Sequence, residues 1–132
     1  MHSISIYLIN RNQLRNDKIE DILDFSKPNR IKWVDMGENI LATTHIPNLK
    51  EFGKDKEVAH IRTDYFGGFG NQSSKLWINN KLKFKYCDEA QYGEYHVSPI
   101  NEVLRKIGVV KKSGLDEFDT IGLGRRRTNA DF

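Results

Sequence analysis

Three polar side chains that could do chemistry alternate along one predicted strand, at His60, Arg62 and Asp64. Residues two apart in a strand point to the same face of a sheet, so we expect these three side chains to lie together. An imidazole, a guanidinium and a carboxylate could act as a base, an anion clamp and an orienting group. The simpler interpretation is an ordinary polar sheet face whose charges neutralise one another.

A glycine-rich segment, Gly67-Gly68-Phe69-Gly70, follows the same strand. Glycine allows positive φ and close approach of the backbone to another group, and successive amides can form a nest for an anion. The segment has neither the Lys-Ser/Thr pair of a phosphate loop nor the spacing of a dinucleotide-binding motif. We interpret it as a tight or bulged connection between strands. A partner-binding loop and a cradle for a small molecule are the alternatives.

Aromatic and amide side chains around these glycines are candidate contacts for a partner protein. Aromatic residues dominate the energetics of many interfaces, although the same residues could fill the core. The amides could instead bond the local backbone. The candidate partner-binding residues of this segment are Tyr65, Phe66, Phe69, Asn71 and Gln72.

An acidic cluster and a run of arginines lie near the end of the chain. The acids could bind a metal, mimic phosphates or start a short helix near its positive end. The arginines could grip nucleic acid or an acidic protein, or fold back onto the acids. We add Asp116, Glu117, Asp119, Arg125 and Arg126 to the candidate partner-binding residues.

The composition is that of one soluble domain spanning residues 1–132. The chain has 132 residues, of which 38% are hydrophobic, and its net charge of +3 permits nucleic-acid contact without indicating it. No apolar run is long enough to span a bilayer, and the N-terminus lacks the pattern of a signal peptide. We therefore expect a cytoplasmic protein.

The cysteine and histidine residues predict no metal site. Cys87 is the only cysteine, so an internal disulfide is excluded, and we expect it to be a small buried residue near a strand end. None of the four histidines has the spacing of a chelating pair. We expect no cofactor and no catalytic activity.

Hydrophobic periodicity predicts an α+β domain with a mainly antiparallel sheet and two main helices. The predicted strands are residues 3–10, 31–35, 40–46, 57–66, 74–78 and 81–86. The last strand should alternate, with Leu82, Phe84 and Tyr86 facing the core. The predicted helices are residues 12–25 and 98–107, the second followed by Gly108 as a left-handed exit.

Three motifs give the chain a resemblance to a small bacterial protein family. They are the Thr-Asp-Tyr-Phe-Gly-Gly segment at Thr63–Ser73, a helix beginning Ile-Asn-Glu at Ile100–Leu104, and the Asp-Glu-Phe-Asp to Gly-Leu-Gly-Arg segment at Asp116–Arg125. These motifs cover the second half of the chain. In its size, single domain and lack of an active-site motif, the chain is also similar to the immunity proteins of contact-dependent and polymorphic toxin systems.

That similarity implies a protein that binds a cognate toxin domain and neutralises it by occlusion. Immunity proteins against nucleases are often acidic, whereas this chain is mildly basic. The basic balance implies a toxin with an acidic surface, or binding away from the toxin's active site.

Two other functions stay open at the level of the sequence. One is a small enzyme or ligand-binding domain that uses the Gly67–Gly70 loop with His60, Arg62 and Asp64. The other is a nucleic-acid-binding domain, whose contacts would be Lys81, Lys83, Lys85 and Arg125–Arg127.

Overall fold

The protein, described here as a computed structural model, folds around one antiparallel sheet of six strands. The structure describes residues 2–14, 31–66, 69–91, 99–126 and 128–132. In the described residues, three strands are followed along the chain by one short α-helix, three further strands and two more α-helices. The predicted α+β class with a mainly antiparallel sheet is confirmed.

The strands follow the sheet order β2-β3-β1-β4-β5-β6. They are β1 (His2–Asn10), β2 (Val34–Asp35), β3 (Ile40–Thr43), β4 (Glu57–Phe66), β5 (Phe69–Ile78) and β6 (Lys81–Gln91). The helices are α1 (Leu49–Phe52), α2 (Pro99–Lys106) and α3 (Glu117–Thr120), with 3-10 turns at Arg11–Leu14, Leu123–Arg125 and Asn129–Asp131.

The main core lies between α2 and one face of the sheet, which we call the helix face. Alternate residues of β1 and β4 point to this face, and α2 offers a stripe of apolar residues at helical spacing. Each buried aliphatic side chain of this kind contributes about 1.5–3 kcal/mol relative to exposure. The fully or nearly fully buried residues of this contact are Ile4, Ile6, Leu8, Ala59, Ile61, Ile100, Val103, Leu104 and Ile107.

A buried side chain of β5 forms a hydrogen bond with the start of α2. Pro99 occupies the first turn, where its missing N–H costs nothing. The Oε1 atom of Gln72 accepts a hydrogen bond from the backbone N–H of Ile100 at 3.2 Å. Gln72 lies on the helix face and is only 8% exposed. Strand alternation thus directs Gln72, a predicted partner contact, into the domain, and its contact with a partner stays a prediction.

A second, smaller core covers one end of the opposite face, which we call the open face. It contains Ile9, Trp33, Leu41, Ile46 and Val58, all buried. The residues of the open face beyond this cluster are mostly polar. The sheet thus has one face packed by helices and one face that is only partly covered by apolar side chains of the described residues.

Every strand except β4 differs from its predicted bounds, by five residues in β5 and β6 and by one to three residues in the others. Strand β5 begins at Phe69 instead of Ser74, and Phe66 pairs with Phe69 across the hairpin. Only Gly67 and Gly68 separate β4 from β5, and both lie outside the described residues. Asn71, predicted as a loop residue, is therefore part of a strand.

The predicted alternation of β6 is wrong at its start. Leu76 pairs with Phe84, but the next residue of β5, Trp77, pairs with Leu82. Lys83 is therefore an extra residue of β6 that has no partner in β5, which makes a β-bulge. This bulge moves Leu82 off the helix face, and Leu82 is 50% exposed.

The second predicted helix is confirmed, whereas most of the first predicted helix lies outside the described residues. Helix α2 begins at Pro99, and Gly108 follows it with a φ of 103°. For the helix predicted at 12–25, only the turn up to Leu14 belongs to the described residues. The side chains of Cys87 and Tyr86 also lie outside them. Among the described residues no helix has the length and apolar character needed to cross a membrane.

Replacing Gln72 with leucine should destabilise the protein. The change keeps a similar volume but leaves the Ile100 N–H buried without its acceptor, which costs about 1–3 kcal/mol. Urea unfolding of the Gln72→Leu variant measures the loss. Asn71→Ala, at the neighbouring and half-buried position, is the control, and we expect it to change the free energy of unfolding much less. Equal effects at both positions would contradict this role of Gln72.

Candidate functional site

Cross-strand pairing arranges the side chains of the open face in rows. One row crosses four strands and contains Tyr7, His60, Lys75 and Lys85, each directly opposite the next. The adjacent row contains Ser5, Arg62 and Ser73. A third row, towards the β4–β5 hairpin, contains Ser3, Asp64 and Asn71. His60, Arg62 and Asp64 therefore share a face, as the sequence predicted.

His60 is the most constrained side chain of this face. Its Nε2 atom lies 3.0 Å from the Oγ atom of Ser5, and its ring packs edge-on against Tyr7 with 4.8 Å between the centroids. Burial, together with the positive charges of Lys75 and Arg62, lowers the pKa of His60 from 6.5 to about 4. The ring is therefore neutral at pH 7.

Three cations on this face have no partner of opposite charge within the described part of the chain. We call Arg62, Lys75 and Lys85 the cationic cluster. Among the described residues, the ion pairs join Lys54 to Glu51, Arg105 to Glu102 and Glu117, and Lys112 to Glu38, and none includes a member of the cluster. Lys75 and Lys85 are directly opposite each other, an arrangement that destabilises a sheet.

The cluster is accessible from solvent. Arg62 and Lys85 are exposed, and Lys75 is half-buried. Asp64 is exposed on the same face, but no ion pair joins it to Arg62 in the described part of the chain. The predicted neutralisation of charges along β4 is therefore incomplete. The charged residues of the three rows are three cations and one carboxylate, so their net charge is positive.

The arrangement suits anion binding better than proton transfer. The Ser5–His60 pair has the geometry of a nucleophile and a base. However, a histidine with a pKa near 4 is a weak base at neutral pH, where an efficient general base titrates near the working pH. In the described residues, no carboxylate hydrogen-bonds to His60. Cations and hydroxyl groups side by side are instead typical of a surface that meets oxyanions.

The structure assigns the acidic residues near the C-terminus to the fold. The Oδ1 atom of Asp116 caps α3 by accepting the N–H of Asp119 at 2.8 Å, and its Oδ2 atom accepts from Asn101. Glu117 is 4% exposed and bonds the Nε atom of Arg105 at 3.2 Å. The carboxylate of Glu117, a predicted partner contact, thus joins α3 to α2, and its contact with a partner stays a prediction.

Asp119, like Asp116, is exposed. Partial burial of its carboxyl group, and then the nearby charge of Asp116, raise its pKa. Its position on the side of α3 away from the open face leaves its predicted contact with a partner untested.

Of the remaining predicted contacts, Asn71 shares the open face with the cationic cluster, whereas Arg125 and Arg126 line a cleft elsewhere. Asn71 is half-buried on the open face. The backbones of Tyr65, Phe66 and Phe69 form the end of the β4–β5 hairpin, and their side chains lie outside the described residues. Arg125 and Arg126 border a cleft on another side of the domain, near the turn between β2 and β3.

Sequence reasoning missed Ser5, Tyr7 and Lys75. Each is an alternate residue of a correctly predicted strand, so its face could have been assigned. What could not be assigned is the register that sets Lys75 beside His60 and opposite Lys85. Register depends on contacts between distant parts of the chain.

Among the described residues, no group of three or more histidine, cysteine or acidic residues is placed to hold a metal ion. No family model, no curated protein and no solved structure matches this chain. The functional argument therefore depends on the geometry of the open face and on the resemblance described above.

We predict that the ring of His60 titrates with a midpoint near pH 4. Because the folded-state pKa lies below the unfolded value of 6.5, the unfolded state binds more protons between these two pH values. The contribution of His60 to the free energy of unfolding is complete above pH 6.5 and decreases as the pH falls to 4. Since the ring is partly exposed, we expect a loss of about 1–2 kcal/mol.

The measurement is an NMR titration of the ring, combined with urea unfolding at pH 7 and pH 4.5. A His60→Gln variant should lose less stability over this interval than the unchanged protein. A ring midpoint near 6.5 would contradict the proposed environment of His60.

Replacing Lys75 with glutamine should stabilise the protein. The change removes the repulsion from Lys85 and should raise the free energy of unfolding by about 0.2–1 kcal/mol. It should also raise the pKa of His60, which Lys75 lowers. Lys111→Gln, at an exposed position after α2, is the control for net charge. A loss of stability in Lys75→Gln would show that this lysine has a structural role instead.

Proposed function

We propose that this chain is an immunity-type protein, which binds a cognate bacterial toxin domain in the cytoplasm and neutralises it by occlusion. The observation that carries the proposal is the cationic cluster, whose charges have no counter-ion among the described residues. A sheet that opposes Lys75 and Lys85 loses stability, and an acidic partner would recover it on binding.

The open face offers the partner a mixed contact surface. Arg62 supplies a planar guanidinium suited to a carboxylate, and the two lysines add positive charge beside it. Trp77, half-buried in the next row of β5, adds an aromatic side chain. Aromatic and arginine residues are the types that most often dominate binding energy. The basic surface fits a toxin domain with an acidic surface.

Charge reversal within the cluster should weaken the complex. We expect the double variant Arg62→Glu, Lys75→Glu to bind the toxin domain encoded by the neighbouring gene at least tenfold more weakly, mainly through slower association at low salt. Calorimetry and stopped-flow kinetics measure the affinity and the rate. The matched control is Lys106→Glu together with Lys111→Glu, which makes the same change in net charge on and after α2, the helix that packs on the opposite face of the sheet.

Two results would contradict the proposal. The first is the absence of a stable complex with the toxin domain of the neighbouring gene. The second is a complex whose affinity falls equally in the control variant, since the cluster would then contribute only net charge.

Single-stranded nucleic acid is a second candidate partner. The observation that favours it is the proximity of cations and an aromatic side chain, Trp77, on one sheet face. The three lysines predicted for this function are exposed, but the bulge at Lys83 divides them, and only Lys85 belongs to the open face. Fluorescence anisotropy with labelled oligo-dT and oligo-U decides between the candidates. Binding that weakens steeply with salt would favour nucleic acid, and no binding at 100 mM salt would favour a protein partner.

A further inference from the structure

A cleft of about 640 Å³ lies between the β2–β3 turn and the C-terminal segment. Its volume is within the range of small-molecule sites, which is about 300–1,000 Å³. Met36 is half-buried and contributes apolar surface, Ile121 is only 3% exposed, and Gly37, Gly122 and Arg125 also line the cleft. A Cβ atom at Gly37 would meet nothing within 4 Å, so this side of the cleft is open.

The guanidinium of Arg125 is held against the backbone of the cleft. Gly122 has a φ of 75°, and a Cβ atom built on it would lie 2.9 Å from the Nη2 atom of Arg125. The glycine therefore permits both the left-handed turn and the close approach of the guanidinium. The backbone N–H of Arg125 also donates to the carbonyl oxygen of Gly122 at 3.3 Å.

The other charged groups of the cleft already have partners. Asp35 accepts the N–H of Gly37 at 2.9 Å, and Asp131 accepts the N–H of Thr128 at 3.1 Å. Arg126 donates to the backbone oxygen of Asp131 and lies over the ring of Phe132, 5.0 Å from its centroid. In the described part of the chain, no carboxylate pairs with Arg125.

We propose that this cleft binds a small molecule through an oxyanion group, carboxylate or phosphate, held by the guanidinium of Arg125. The planar fork of a guanidinium matches either group with two parallel hydrogen bonds. The partly exposed side chain of Met36 receives the carbon part of the ligand. This site is separate from the open face and does not depend on the proposed toxin partner.

The test is an NMR titration of the full chain with three probes: inorganic phosphate, butyrate and butylamine. The amides of Gly37 and Gly122 report on the cleft. We expect these amides to shift with butyrate or phosphate and to stay unchanged with butylamine. A response to butyrate alone identifies a carboxylate site with an apolar wall, and a response to phosphate alone identifies a phosphate site.

Two variants separate this site from non-specific attraction to a basic protein. Arg125→Gln should weaken binding at least tenfold, whereas Arg11→Gln, an equal charge change on the exposed turn after β1, should leave it unchanged. Gly122→Ala displaces the guanidinium and should also weaken binding. No amide shift up to 50 mM of either anion, or equal weakening in Arg125→Gln and Arg11→Gln, would overturn the proposal.

This result can be separated from the proposed immunity function. Gly122→Ala should bind the toxin domain as the unchanged protein does, and Lys75→Gln should retain the amide shifts at Gly37. If no anion binds in the cleft, the open-face proposal still stands. If no toxin complex forms, the cleft proposal still stands.

Discussion

The packing of α2 against one face of the sheet is the constraint on which the rest of the structure depends. It commits alternate residues of β1, β4 and β5 to the interior, and the bond from Ile100 to Gln72 fixes where the helix begins. Because strand side chains alternate, the intervening residues must point the other way. The polar composition of the open face is therefore a consequence of how the main core is packed.

The open face departs from what stability alone would favour. A sheet surface usually places opposite charges across strands, whereas here Lys75 faces Lys85 and lies diagonally across from Arg62. The same positive charges, after burial, help to keep His60 neutral. Residues that reduce stability are often those that function requires. The proposed anionic partner would explain the cluster, because the charges that repel in the free protein would attract in the complex.

Much of the fold could be predicted from local pattern, and the assembled site could not. Strand β4 and helix α2 carry clear periodicity, so their bounds were nearly correct. The glycines after Phe66 concealed how early β5 resumes, since strand propensity is weak at Gly70 and Asn71. Glu117 was interpreted as a surface acid because nothing in its neighbours reveals Arg105, which lies twelve residues away in the sequence. Long-range register and helix packing determine which charges meet.

The most direct test of the central claim is a lysine-reactivity footprint of the toxin complex. Limited acetylation followed by mass spectrometry measures the reactivity of every lysine in the free and bound protein. The account predicts that Lys75 and Lys85 lose most of their reactivity on binding, whereas Lys111 keeps its own. Unchanged reactivity at Lys75 and Lys85 in a saturated complex would contradict the claim that the open face receives the partner.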